Sequence, residues 1–380
     1  MDTELIKNAY SFSKEKSLHH RYICNDHIVS LLNNLPSNFR VDVIGESVNG
    51  EDIFSITVGK GEKRLLLWSQ MHGNESTTTK ALFDVFNFLT SNNSYAKAIL
   101  NNCTLKIIPI LNPDGARAYT RVNANEVDLN RDAQNLTQPE SLVLKACFED
   151  FKPDYCYNLH GQRTIFSAGK SNNSAIVSFL SPAQDEARSL SKNRKIAMEV
   201  ISVMNNALQQ VIPNKVGIYD DAFNINCVGD TFQYKGVPTI LFEAGHFPDD
   251  YARGETRALI FNSLLTSFNY ISSNNVEGEG YESYFDIPAN EKLFFDIIIR
   301  NADVNGEILD IAIQYEERLK ENSIIFVPKI QKISKLENFY AHREINANNS
   351  KVLDAKNGTL KVESENDFVL INNQKTSLYL

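Results

Sequence analysis

The chain has 380 residues, 42% of them hydrophobic and 22% charged, with a formal net charge of −9. That composition supports a sizeable core and excludes global disorder. The acidic balance excludes a general nucleic-acid or anionic-membrane binder, because both need clustered Lys and Arg.

The N-terminus reads MDTELIKNAYSFSKEK, with early acids and neither a basic n-region nor an apolar h-region, so no signal peptide is expected. The apolar runs at 64–68 and 107–111 are far too short to span a bilayer. Cys24, Cys103, Cys147, Cys156 and Cys227 are odd in number, scattered and without a CxxC pair. They read as free thiols in a reducing compartment, and a cytoplasmic location is expected.

Strands are predicted at 51–59, 63–71, 104–111, 154–160 and 237–243, where short runs rich in Ile, Leu, Val and aromatics are bounded by turn residues. Between them, helices are predicted at 76–91, 139–151, 181–211 and 252–272. Alternating strands and helices define an α/β fold with a mixed, largely parallel central sheet flanked by helices. An α/β domain is expected over 1–272 and a polar linker over 273–284 (SSNNVEGEGYES). Strands predicted at 292–300, 307–315, 323–330 and 367–372 make 285–380 a small β-rich domain. It carries one histidine, His342, and no chemical motif, so a structural or docking role is the expectation.

Four signals carry chemistry. His72 and Glu75, in HGNE, follow the strand candidate 63–71, and functional residues of α/β sheets gather beyond the carboxyl ends of strands. An imidazole nitrogen and a carboxylate oxygen three residues apart suit zinc, although the pattern alone is common. His160 ends the strand candidate 154–160 and can complete three protein ligands with one open position. Glu243 ends another strand candidate and can act as a base toward an activated water. The segment 112–131 (NPDGARAYTRVNANEVDLNR) supplies Arg121, Asp128, Asn130 and Arg131, of which Arg131 can grip a carboxylate in bidentate fashion. Taken singly, each of these residues has a common structural explanation.

HGNE, NPDG, VDLNR, NLHG and LFEAG occur in one order across about residues 40–272. That order resembles the zinc metallocarboxypeptidases related to carboxypeptidase A. The resemblance implies a single Zn2+ held by His72, Glu75 and His160, and a general base at Glu243. It implies that Arg121 stabilises the oxyanion, that Asn130 and Arg131 hold the substrate's terminal carboxylate, and that Asp128 orients the first zinc histidine. Tyr219 resembles the mobile tyrosine that closes over substrate, though its spacing to Glu243 is slightly long. Asp230 falls in the region that usually lines the specificity pocket, where it would favour a basic terminal side chain. Gly161 and Gln162 depart from the digestive members. The implied activity is hydrolysis of the C-terminal peptide bond of a peptide or peptide-like substrate with a free carboxylate. The alternative is a zinc amidohydrolase of the aspartoacylase or succinylglutamate-desuccinylase type, which acts on an N-acyl amino acid; NPDG and the position of Arg121 favour the peptidase.

Overall fold

The computed structural model describes residues 3–380. It comprises two compact units. The first contains the residues up to Gln162 together with Ala175–Asn290; the second contains Arg163–Ser174 together with Glu291–Leu380.

Strands β1 (Arg40–Glu46), β2 (Asp52–Gly59), β3 (Lys63–Ser69), β4 (Cys103–Ile108) and β5 (Tyr155–Gly161) open the sheet of the first unit. After β6 (Phe166–Ala168), which lies in the second unit, it continues with β7 (Val177–Leu180), β8 (Val216–Ile218) and β9 (Thr239–Ala244). The order across the sheet is β1-β2-β4-β3-β5-β9-β7-β8. Strands β4, β3, β5 and β9 run parallel at its centre, while β2 and β7 run antiparallel to their central neighbours. The central strands are covered on both faces, which is why they read as near-continuous apolar runs. The carboxyl ends of β3, β5 and β9 therefore emerge together, and His160 lies opposite Glu243 in the β5/β9 register.

The helices are α1 (Thr3–Ser13), α2 (Asn25–Asn33), α3 (Thr77–Leu89), α4 (Ser94–Asn102), α5 (Pro113–Ala118), α6 (Pro139–Phe151), α7 (Lys192–Gln209), α8 (Val228–Tyr234) and α9 (Gly254–Ser273). Successive residues of β3 serve opposite faces, as the pleat requires. Leu66 and Trp68 join an apolar cluster with Leu144 and Phe148 of α6 and Val228 and Phe232 of α8. Ser69 faces the other way and hydrogen-bonds Thr78 and Thr79 of α3 at 2.7 and 2.8 Å. Among the described residues, no helix is long and apolar enough to cross a membrane. All five cysteines are free thiols, four of them buried.

Residues 15–23 form a strap whose backbone carbonyls are taken by buried side chains of the core. Arg257 of α9 donates to the carbonyls of Glu15 and Leu18, and Lys80 of α3 to that of His20. Ser76 takes the carbonyl of Arg21, and Gln70 that of Ile23. Arg257 also forms a two-point ion pair with Asp84 of α3, at 2.6 and 2.5 Å, and both side chains are almost wholly buried.

The helix expected over 181–211 begins only at Lys192. Ser191 caps it by accepting from the Arg194 N–H, and the preceding stretch, with Pro182, is extended or irregular. The strand expected to reach Met71 stops at Ser69, because Gln70 takes a left-handed backbone conformation with φ 43°. The segment 273–284, expected as a polar linker, is anchored to the first unit. Glu199 of α7 accepts the N–H groups of Gly278 and Glu279 at 2.6 and 2.9 Å, and Tyr284 is buried with its hydroxyl on Ser181 N–H. The passage to the second unit falls instead at Asn290/Glu291.

The second unit is β-rich. Strand β10 (Asn290–Lys292) pairs with β6; β11 (Phe294–Val304), β12 (Glu307–Lys320), β13 (Ser323–Ser334) and β14 (Tyr340–Asn346) form a four-stranded sheet; and β15 (Val352–Leu353), β16 (Phe368–Ile371) and β17 (Gln374–Ser377) form a small third one. His342 is structural here: it stacks on Phe294 at 4.9 Å and bonds the Thr164 carbonyl at 2.8 Å.

Candidate metal centre

The loop after β3 carries His72 and Glu75 and is held in shape by the NPDG segment. Asn112 N–H donates to the Gln70 carbonyl at 3.0 Å, and Asn112 Nδ2 to the Met71 carbonyl at 3.2 Å. Gly73 is forced by proximity. A Cβ there would stand 1.9 Å from the Gly115 carbonyl carbon, so the glycines of HGNE and NPDG let two loops touch backbone to backbone.

His72 Nδ1 lies 2.9 Å from Glu75 Oε1 and 3.1 Å from His160 Nδ1, and His160 Nδ1 lies 2.9 Å from Glu75 Oε2. One ligand atom from each of these three residues falls within 4.8 Å of the others. Asp128 Oδ1 stands 3.0 Å from His72 Nε2, so that nitrogen carries the proton and Nδ1 presents a lone pair. Gly161 N–H donates to Glu75 Oε2 at 3.0 Å and fixes the carboxylate. Two imidazoles and one carboxylate converging this way fit a zinc ion with an open fourth position.

Charge reinforces the arrangement. Burial opposes charging His72, but Glu75 and Asp128 outweigh it and raise its pKa. Burial alone would raise the Glu75 carboxyl, yet His72 and His160 hold it well below the usual carboxylate range. The same contest, with His72 and Arg121 as partners, keeps Asp128 ionised. His160 is pushed down by burial, despite Glu75, and stays neutral. Glu243 behaves oppositely. Burial and then the charge of Glu75 raise its pKa well above the usual value, and its Oε2 is shut off from solvent without a hydrogen-bond partner.

Arg121, half-exposed, reaches over the same cluster. Its Nη1 lies 3.2 Å from His72 Nδ1 and 3.5 Å from Glu75 Oε1, and its Nε donates to Asp128 Oδ2 at 3.1 Å. Asn130 and Arg131 stand in the short 3-10 turn Leu129–Arg131, capped by Asp128. Asn130 Oδ1 accepts the Val228 N–H at 3.1 Å, and Arg131 Nη1 donates to the Asn130 carbonyl at 2.7 Å and to Cys227 Sγ at 3.2 Å. Tyr219, just after β8, is raised by burial and by the charges of Glu243 and Glu75, so its phenol stays protonated. Asp230 lies in the first turn of α8, accepting from Asn224 N–H at 3.1 Å. Cys227 and Gly161 take part without having been singled out for these roles; their contacts leave no side-chain pattern to read.

Burial raises Asp230 to about 6, against the opposing pull of backbone N–H groups and Arg131. Folding therefore keeps this carboxyl protonated to higher pH than in the unfolded chain. Its favourable contribution is complete below about pH 4 and is lost as pH rises through about 6. Asp230→Asn is expected to raise the thermal midpoint at pH 7.5 and to leave it unchanged near pH 4, as scanning calorimetry can record.

Three donors that suit a metal ion thus converge on one side of a mixed α/β sheet, the arrangement of a candidate metal centre. Residues 25–234 match the family model described as zinc carboxypeptidase, and the chain belongs to that family. Carboxypeptidase SOL1 of Arabidopsis thaliana is 32% identical over 141 residues, which cover 32% of this chain and 29% of that protein. Carboxypeptidase 2 of Trichophyton rubrum is 28% identical over 110 residues, covering 28% of this chain and 20% of that one. The matches thus span less than a third of these relatives' own length. The fold is shared with a metallo-carboxypeptidase from Burkholderia cenocepacia (TM-score 0.51, 18% identity, covering 65% of this chain and 67% of that one). It is also shared with the carboxypeptidase A of Helicoverpa armigera (TM-score 0.54, 15% identity, covering 71% of this chain and 80% of that one).

Proposed function

We propose that the chain is a zinc-dependent carboxypeptidase that removes the last residue of a peptide bearing a free C-terminal carboxylate. The observation that carries this reading is the convergence of His72, Glu75 and His160 in a site whose β5/β9 register brings in Glu243, with its Oε2 buried and unpaired. A zinc ion held by those three ligands would supply Lewis acidity toward a water and a carbonyl oxygen.

The chain's own groups do the rest. Arg131 and Asn130 bind the terminal carboxylate, so the last peptide bond lies toward the metal ligands and cleavage is from the end. The positive charge of a bound zinc would oppose the upward shift of the Glu243 carboxyl and favour its ionised form, which takes a proton from the attacking water and returns it to the departing amine. Arg121 faces the developing oxyanion, a role worth about 3 kcal/mol for one donor. Tyr219, protonated and at the edge of the site, donates a hydrogen bond to bound substrate. Asp230, beside Arg131, would favour a basic terminal side chain. The free thiols accord with a cytoplasmic location.

Chelation followed by zinc repletion tests the reading on a panel of blocked dipeptides. Activity is expected to disappear with chelator and return with zinc; activity indifferent to chelator would defeat it. Preference for N-acyl-aspartate or N-succinyl-glutamate over peptides would instead support the amidohydrolase. Asp128→Ala is expected to weaken zinc binding about 10- to 100-fold, because His72 then loses the partner that sets its tautomer. Competition with a zinc-binding dye measures this directly.

A further inference from the structure

A cavity of about 170 Å³ lies in the first unit, on the α6/α8 side of the sheet. Met71, Leu111, Leu129, Leu144, Val228 and Phe232 form its apolar walls. Ser141, in the first turn of α6, also lines it; the residue is 7% exposed and its Oγ has no hydrogen-bond partner. A buried hydroxyl without a partner costs free energy that a bound acceptor would recover. The remaining polar pair, Gln134 Nε2 and Thr231 Oγ1, satisfy each other at 2.8 Å.

Lys145, half-buried, and Lys235, exposed, also belong to the lining. Both lie 3.8 Å from one carboxylate, Glu149, so two ammonium groups share a single negative charge. The local balance is positive and favours an anion. The volume is on the order of that which admits one benzene ring, and it excludes nucleotide- or drug-sized ligands.

We propose that this cavity binds a small carboxylate carrying an aromatic or branched hydrocarbon group. The hydrocarbon fills the apolar walls, Ser141 Oγ turns about its Cα–Cβ bond to donate to the ligand, and the carboxylate meets Lys145 and Lys235. The site is separate from the metal centre. Val228, Thr231 and Phe232 of α8, with Lys235 just past its end, face the cavity, whereas Asp230 meets Asn224 and Cys227, at the start of the helix, meets Arg131. It nevertheless adjoins the carboxylate clamp, because Leu129 precedes Asn130 and Val228 N–H holds the Asn130 side chain.

The test uses the full chain and its single tryptophan. Trp68 packs edge-on against Phe232, with ring centroids 5.4 Å apart, so filling the cavity should alter its emission. Titration with phenylacetate is expected to give a saturable change. Ser141→Leu, which fills the space, is expected to abolish it. Lys235→Glu, at an exposed position, is expected to weaken phenylacetate about tenfold and phenylacetamide hardly at all. Arg131→Ala is expected to leave the response intact. The proposal is overturned by the absence of a saturable response in the native chain, or by equal phenylacetate affinity in Lys235→Glu. A response that survives Ser141→Leu but vanishes in Arg131→Ala would place the ligand in the metal-centre cleft and would also overturn it.

Discussion

Replacing Glu243 with glutamine is expected to lower kcat by between about 10²- and 10⁴-fold while one zinc per chain stays bound. Glutamine preserves the shape and a carbonyl oxygen at the end of β9 but cannot accept and return a proton. The metal is expected to remain because Glu243 lies outside the His72, Glu75 and His160 donor set. Its surroundings suit the proposed base role. Glu75 is held ionised by two imidazoles and a backbone N–H, whereas Glu243 has an oxygen with no partner. Steady-state kinetics with atomic-absorption analysis of the same preparation separates the alternatives. Near-native turnover in Glu243→Gln would remove the residue from the proton-transfer role; loss of zinc would make it a ligand instead.

The second large effect concerns stability. Asp84→Ala is expected to destabilise the first unit by about 3–5 kcal/mol, because it strands a buried guanidinium. Both carboxylate oxygens are fully used: Oδ2 by Arg257 Nε, and Oδ1 by Arg257 Nη2 and by Glu15 N–H at 2.7 Å. The double replacement Asp84→Leu with Arg257→Met is expected to recover part of the loss, since it removes both charges and retains volume. Urea unfolding followed by Trp68 emission measures both changes. A loss below about 1 kcal/mol would mean that the pair is solvated, as surface ion pairs are.

The central strands were legible in the sequence because burial on both faces leaves continuous apolar runs, and β2, β4, β5 and β9 lie within a few residues of their predicted limits. Strand β1 was not, since most of its residues are only half-buried or exposed at the sheet edge. Strands β7 and β8, of four and three residues, are too short to show a period. The candidate metal ligands were legible as residues at or just beyond strand ends, a placement that survives small errors in boundaries. The contact from Arg131 to Cys227 was not, because it joins residues 96 positions apart through a side chain with no motif of its own. The strap at 15–23 escaped for a different reason. It is recognised through backbone carbonyls, which every residue has, so no side-chain pattern announces it.

That strap bears on how the protein can be divided. The family match begins at residue 25, two residues beyond the last carbonyl that the core captures. A chain begun at residue 25 would leave Arg257, Lys80, Ser76 and Gln70 without the carbonyls they bind. Two of these, Ser76 and Gln70, flank the loop that carries His72 and Glu75. The region that relatives share in sequence is thus smaller than the piece whose buried donors are satisfied, and expression boundaries are better drawn ahead of Glu15.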